Sequence, residues 1–522
     1  MKYFYLSLFM ICSSFLIGQS VTDYVDYYDK DSTIVRSKGQ FYYGMEEGLW
    51  IYYHRNGKVM EESNYTEGKL NGKVTIWYSN GNMKNEGFFR FNVQDSSYSS
   101  WHENGKLNSK GEFDFGFKSG IWEYFFPDGN LYKKELWDGR LSKLIHANAL
   151  SGEPIVKAGN GQLLKYLGSS IVAKTDYKDS LPNGLYERFS GSRIIEKGEF
   201  VNGVKTGEWI NYFESEGGGI SSKVFYENGI KNGSAAFYFS KGVVKIKGTY
   251  SSDKKEGYWQ FFQPDGSVYM QGYFAENIQD SLWTYYYDSS KVKDSEGYFT
   301  NGVKNGSWSF WYPDGSDWRK GVYKMGLKHG LWTTWFETGG KVQEGNYLNG
   351  KEDGEWWSWY QSGKNKDHGY YTEGKMDGAW EGWFENGQKN YLGSIKNDLK
   401  DGAWEFWYSN GKARESGSYK EGLKNGAWVY YYKTGIKDNE GSYSKGKKNG
   451  SWKYYLEYGQ LQREVSFQND KLHGPSVVYY PGKGIMTESN YKNGKQHGTW
   501  KMFNERGELI KKMEYVNGVK KN

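Results

Sequence analysis

The chain has 522 residues, and 70 glycines, 48 tyrosines and 23 tryptophans against 7 prolines favour one long repeat array over two to four ordinary domains. A formal charge of +6, from 68 basic and 62 acidic residues interspersed along the chain, argues against a dedicated nucleic-acid surface. An aromatic share of 19% argues against disorder.

The N-terminal segment, MKYFYLSLFMICSSFLIGQS, carries one lysine, an apolar run from Tyr3 to Ile17, and then Gly18. It reads as a secretory signal peptide spanning residues 1–18, with an uncleaved membrane anchor as the alternative. The run is short of the about 20 residues a membrane span needs. Cys12 is the sole cysteine, and Phe9-Met10-Ile11 before it lack the small residues of a lipoprotein signal. No lipid anchor is predicted, and the exported chain carries no thiol and needs no disulfide.

Beyond the signal the chain repeats. With the glycine of Gly-x-Trp as position 0, units open at Gly48, Gly72, Ser96, Gly120, Gly184, Gly207, Gly233, Gly257 and Ser281, and then every 24 residues from Gly306 to Gly498. Position +2 is Trp in 13 of these 18 units, so Trp is a scaffold residue. Aromatics follow at +4, +5 and +6, and a turn dipeptide such as Asn410-Gly411 at +8 and +9. Gly comes at +15, Tyr or Phe at +17, and Gly again at +20. Asn-Gly between strand-like runs signals a hairpin, because both residues tolerate positive φ. A hairpin closing there places Trp404 opposite Gly417 and Gly402 opposite Tyr419, so each large ring is expected to lie over the glycine it faces. Strand alternation puts 0, +2, +4, +6, +15 and +17 on one face, an aromatic floor built on Trp332, Trp356, Trp380, Trp404 and Trp428. Positions +5, +12, +14 and +16 fall on the other face.

The phrase Asn-Gly-x-Trp…Tyr-Tyr…Asn-Gly-Lys…Gly-x-Tyr…Gly resembles the MORN repeat in its bacterial variant form, over residues 33–139 and 183–522. The resemblance implies an all-β fold: an elongated, twisted, single-layer antiparallel sheet of about 18 consecutive hairpins with one irregular break. It also implies protein or membrane contact without a fixed catalytic residue. The antitoxin-like label attached to that family implies a toxin partner, which sits poorly with a signal peptide. Departures are Val74, Ala235 and Ser476 at +2, Ser96 and Ser281 at 0, and Asp398 and Asp470 at +20. Residues 140–182 break the phase, turn aliphatic, and are expected to form a bend or joint between two arrays, with a degenerate unit starting at Gly161. Exposed end strands offer a route to self-association.

No chemistry of catalysis is legible. His329, His473 and His497 hold the turn slot before position 0, His54 and His102 lie near the first turn, and His146 and His368 are isolated. No metal-ligand spacing, paired-carboxylate break or phosphate loop is present, so neither cofactor nor metal nor enzyme activity is expected. The feature pointing to binding is position +5, where Trp311, Trp335, Trp359, Trp383 and Trp407 fall in five consecutive units. The alternative is that these rings pack against neighbouring hairpins. The sequence therefore reads as an exported, non-enzymatic scaffold for a protein partner of unknown identity or for an envelope surface. The alternative is a carbohydrate- or cell-wall-binding protein, since Gly-x-Trp-x-x-Tyr-Tyr looks partly like choline-binding wall repeats.

Overall fold

The computed structural model describes residues 21–29, 31, 33–215, 217–288 and 290–521; the signal segment, Cys12 and Asn522 lie outside these. Every regular element among the described residues is a strand, and 44 strands join one antiparallel sheet in which consecutive strands pair. The chain divides into two units: one runs to Gly242 and includes Tyr250–Asp253, the other comprises Val243–Thr249 and Lys254–Asn522.

In the second unit, strands Leu399–Trp407, Ala413–Lys420 and Leu423–Tyr431 show how a repeat is built. Trp404 lies opposite Gly417 and Gly402 opposite Tyr419, the register that counting from the turn requires. The turns differ from expectation. At the first, Gly411 N–H donates to the Tyr408 carbonyl at 2.9 Å, and only Gly411 of the Asn410-Gly411 pair has positive φ, 83°. The mirror-image two-residue turn lies instead at +19 and +20, where Glu421 and Gly422 have φ of 51° and 79°. This explains Asp398 at +20: its φ is 67°, which Asp tolerates, and its carboxylate accepts the Met376 N–H at 2.8 Å.

Two bulges set the side-chain faces. Position 0 takes positive φ, 77° at Gly426, and the pairing slips there, between Gly417 and Ser418. The freed Ser418 carbonyl accepts the Trp428 indole N–H at 3.0 Å. A second slip, between Phe406 and Trp407, leaves Arg414 extra. It turns position +12 onto the aromatic floor, contrary to simple alternation: the Arg414 guanidinium stands 5.2 Å from the Phe406 ring.

The core is this floor. Trp404 and Trp428 are 2% and 0% exposed, with Tyr419 edge-on to both at 6.1 and 5.1 Å and Phe406 stacked on Trp404 at 5.5 Å. The expectation that Trp404 covers Gly417 is corrected. Gly417 has an indole opposite it on both sides, and it is Trp428, drawn back by its bond to Ser418, that lies over it, while Trp404 lies over Gly393. Each indole thus covers the glycine of the preceding repeat.

The first unit repeats the device, with Trp122 over Gly111 and Trp209 over Gly198. Through residues 140–182 its sheet continues as Leu141–Asn148, Pro154–Lys157, Asn160–Leu167 and Ser170–Lys178. Pairing narrows to two residue pairs on each side of Pro154–Lys157. Leu144, Ala147 and Val156 form the buried cluster there, so the phase breaks where the floor changes from aromatic to aliphatic.

Candidate functional site

Trp311, Trp335, Trp359, Trp383 and Trp407 each end a strand and are half-buried. They lie three residues beyond the floor tryptophans and so face the opposite side of the sheet. A lysine of a neighbouring strand overlies four of them: Lys293, Lys320, Lys341 and Lys389 stand 5.5, 5.8, 5.4 and 5.9 Å from the rings of Trp311, Trp335, Trp359 and Trp407. The row is therefore neither packed away nor bare.

Its centre is denser. Trp357, at +3, stacks on Trp359 at 6.3 Å and on Trp383 at 6.1 Å. His368 stacks on Trp357 at 3.8 Å. The two His368 nitrogens reach Glu355 at 2.8 Å and Glu381 at 3.2 Å. Burial alone would raise the Glu381 carboxyl, but bonds from Lys389 and His368 outweigh it and hold the group below the usual carboxylate range. The result is an aromatic platform with both charge signs at its rim, able to stack a planar or apolar group and hydrogen-bond around it.

His54, His102, His473 and His497 are structural. At +6, tyrosine hydroxyls donate to the +5 carbonyl of the next repeat, as Tyr360 does to Trp383 at 2.8 Å and Tyr408 to Tyr431 at 2.8 Å. His54 and His102 take that place, each Nε2 lying 3.0 Å from the Trp77 or Phe125 carbonyl. Because a carbonyl only accepts, Nε2 carries the proton. His473 and His497 Nδ1 face the backbone N–H of Asn493 and Asn517. Among the described residues no three His, Cys, Asp or Glu side chains gather as a metal site, and no helix is long and apolar enough to cross a membrane.

Sequence reasoning passed over position −2. Lys304, Lys400 and Lys424 stand 3.9, 4.4 and 3.8 Å from the rings of Trp308, Trp404 and Trp428, so the indole is held between a glycine below and an ammonium above. Burial pushes the Lys304 and Lys400 amines below their ordinary value. The signal was present as Lys-x-Gly-x-Trp, as in Lys424-Asn425-Gly426-Ala427-Trp428.

The MORN repeat variant family matches residues 46–67, 70–90, 94–114, 118–138, 328–349, 400–421, 448–469 and 496–517. No curated protein matches the chain. Solved structures similar to it include the TcdB2-TccC3-Cdc42 and TcdB2-TccC3 assemblies and the Photorhabdus luminescens Tc holotoxin pore. All three are 10% identical, the match covers 95% of this chain and 30–31% of theirs, and the TM-scores are 0.13, 0.13 and 0.14 respectively. This chain thus spans under a third of their length, and scores this low carry no argument.

Proposed function

The chain carries repeats of the MORN variant family, and from that premise we propose that it is an exported, non-enzymatic scaffold holding a protein partner at an envelope surface. The observation behind this is the row Trp311, Trp335, Trp359, Trp383 and Trp407: five in-phase indoles on the face the floor does not use, each left half-buried. Partly exposed aromatic surface in a regular row is the form an interaction surface takes.

The test is a cross-linking pull-down from envelope fractions, run with the wild type and with Trp335→Ala/Trp359→Ala/Trp383→Ala. Far-UV circular dichroism checks that the sheet survives. The reading requires a discrete captured species that the triple variant loses; the same capture from both proteins rejects it. Export rests on the 1–18 segment and is checked by the mass of the mature N-terminus. Cleavage near Gly18 supports it, retention of Met1 on a membrane-bound protein indicates the anchored alternative, and retention of Met1 in the soluble cytoplasm rejects both.

A further inference from the structure

In the second unit small residues interrupt the aromatic floor over three consecutive repeats. Position +4 is Phe310 and Phe406 on either side, but Thr334, Ser358 and Gly382 in the three repeats between. Register draws these residues into one line across the sheet. Thr334 lies opposite Gln343, Gln343 opposite Ser358, Ser358 opposite Asp367, and Asp367 opposite Gly382. Five adjacent strands at a spacing of about 4.8 Å make a line about 19 Å long. At its centre lies a hollow of about 370 Å³, whose lining includes Gln343, Trp356, Ser358, Asp367 and Trp380 of the floor side together with Trp357 and Trp359. That volume lies in the range of ligand pockets.

Two of these repeats also lose the lysine lid, which Lys328 still forms over Trp332. Position −2 is Glu352 before Trp356 and Met376 before Trp380. These two indoles are each 8% exposed, against 2% for Trp308 and Trp404. Both devices that seal an indole elsewhere are missing where the hollow opens.

The polar groups along the line are set for a ligand. Ser358 Oγ and Tyr391 Oη donate to the two oxygens of Asp367, at 3.0 and 2.7 Å, which fixes the carboxylate and leaves it lone pairs. At one end Tyr391 fills the space above Gly382. At the other Arg319, opposite Thr334, packs on Phe310 and Trp318, and its Nε is buried without an acceptor.

The geometry points to a glycan-binding trough that takes an oligosaccharide of pyranose rings, laid across the strands. Sugar C–H faces meet the edges of Trp356 and Trp380, and sugar hydroxyls meet Asp367, Gln343 and Thr334. A wholly apolar ligand leaves the remaining lone pairs of the Asp367 carboxylate unpaired in a dry site. An extended peptide gains its affinity from a free strand edge, and a trough on a sheet face has none. The polar line of the trough runs on the floor side, and of the +5 row only Trp359 lines the hollow, so variants at Trp335 and Trp383 test it apart from the partner proposed above.

The test titrates the full chain with chitohexaose, cellohexaose, maltohexaose and peptide-free glycan strands from peptidoglycan, by calorimetry. The matching trisaccharides serve as length controls, and a peptide library forms a separate arm. At least one six-sugar or longer probe binds tighter than about 1 mM, and its trimer binds roughly tenfold weaker. Asp367→Ala weakens binding roughly tenfold or more, the loss that goes with a hydrogen bond to a charged group. Ser358→Phe restores the ring that the flanking repeats carry, so it keeps the fold while abolishing binding; thermal unfolding confirms the fold. Trp335→Ala/Trp383→Ala, neither of which lines the hollow, binds the sugar as the wild type does. The inference is overturned if no glycan probe binds the wild type, if folded Ser358→Phe binds undiminished, or if a peptide rather than a sugar is displaced by Ser358→Phe.

Discussion

Gly417→Ala is a stringent perturbation of this fold, because it separates ring clearance from backbone strain. Gly417 does not have positive φ, so its backbone accommodates alanine. A Cβ built on it, however, falls within 3.0 Å of the Trp428 ring, closer than folded proteins allow. The indole is 0% exposed and cannot retreat downward; it has to lift off. Lifting forfeits the 3.0 Å bond to the Ser418 carbonyl and the contact with Lys424, 3.8 Å from the ring centre. A tryptophan buries about 150–250 Å², so full loss costs about 4–6 kcal/mol at about 25 cal/mol per Å². That figure is a ceiling, because unfolded chains already bury some of this area. Gly426→Ala is the control. Its φ is 77° and a Cβ there meets nothing within 4 Å, so it costs only the left-handed strain of about 1–2 kcal/mol. Repeat proteins open locally, so the assay is hydrogen exchange followed over 413–431 in the full chain. Gly417→Ala lowers the local opening energy by at least twice as much as Gly426→Ala, and in a Trp428→Ala background its cost falls below about 1 kcal/mol. Equal costs for the two glycines, or an undiminished cost without the indole, refute the reasoning.

Alkaline pH tests the burial of tyrosines along the sheet. Burial, aided by neighbouring carboxylates, pushes Tyr177, Tyr347 and Tyr455 up to about 12. An unfolded tyrosine ionises near 10, so from pH 10 upward the unfolded chain releases protons that the folded chain keeps, and stability falls as pH rises through 12. Buried Lys304, Lys328 and Lys400, pushed down, act in the opposite sense below about pH 10.5. The thermal midpoint therefore holds or rises slightly towards pH 10 and drops beyond it, with tyrosinate absorbance appearing as the sheet is lost; an undiminished midpoint at pH 12 contradicts this. Tyr408→Phe removes one inter-repeat bond and costs about 0.5–1.5 kcal/mol of local stability by exchange. His54→Tyr, which restores the usual donor, costs nothing, whereas His54→Ala costs about as much as Tyr408→Phe.

What could be read from the sequence was whatever depends on counting. The distance between turns fixes Trp404 opposite Gly417, and residue parity fixes the +5 row on the face opposite the floor. What could not be read depends on where a strand slips. The bulge at position 0 decides that Trp428, not Trp404, covers Gly417, and the bulge at +12 turns Arg414 and Trp318 onto the floor. Position +3 has no recurring residue type, with Thr333, Glu381, Glu405 and Val429 in nearby repeats, so nothing marked Trp357 as the residue joining Trp359 to Trp383. The trough was illegible for a related reason: Thr334, Ser358 and Gly382 lie 24 residues apart in the chain, and only cross-strand register sets them in line with Gln343 and Asp367.

Scattered departures from the repeat obey a rule that the trough does not. Where position +2 carries no ring, the residue opposite has grown: Val74 faces Ser63, Ala235 faces Val224, and Ser476 faces Val465, where glycine otherwise stands. The larger residue opposite makes up part of the lost volume, as a close-packed layer demands. At Thr334 and Ser358 no such exchange fills the space, so that gap is not ordinary drift. The rule also predicts what an uncompensated change does. Ser489 occupies the glycine place beneath Trp500, eleven residues before it as Gly417 is before Trp428, yet the indole was kept. Trp500 is accordingly only half-buried, and its Nε1 is enclosed without an acceptor. Ser489→Gly lets the ring settle and its N–H find a carbonyl. The gain of about 1–3 kcal/mol from an orphaned donor regaining a partner exceeds the about 0.5–1 kcal/mol that a strand glycine costs. Hydrogen exchange over Gly498–Phe503 slows in this variant, and unchanged or faster exchange there would show that the glycine is not what seats the ring.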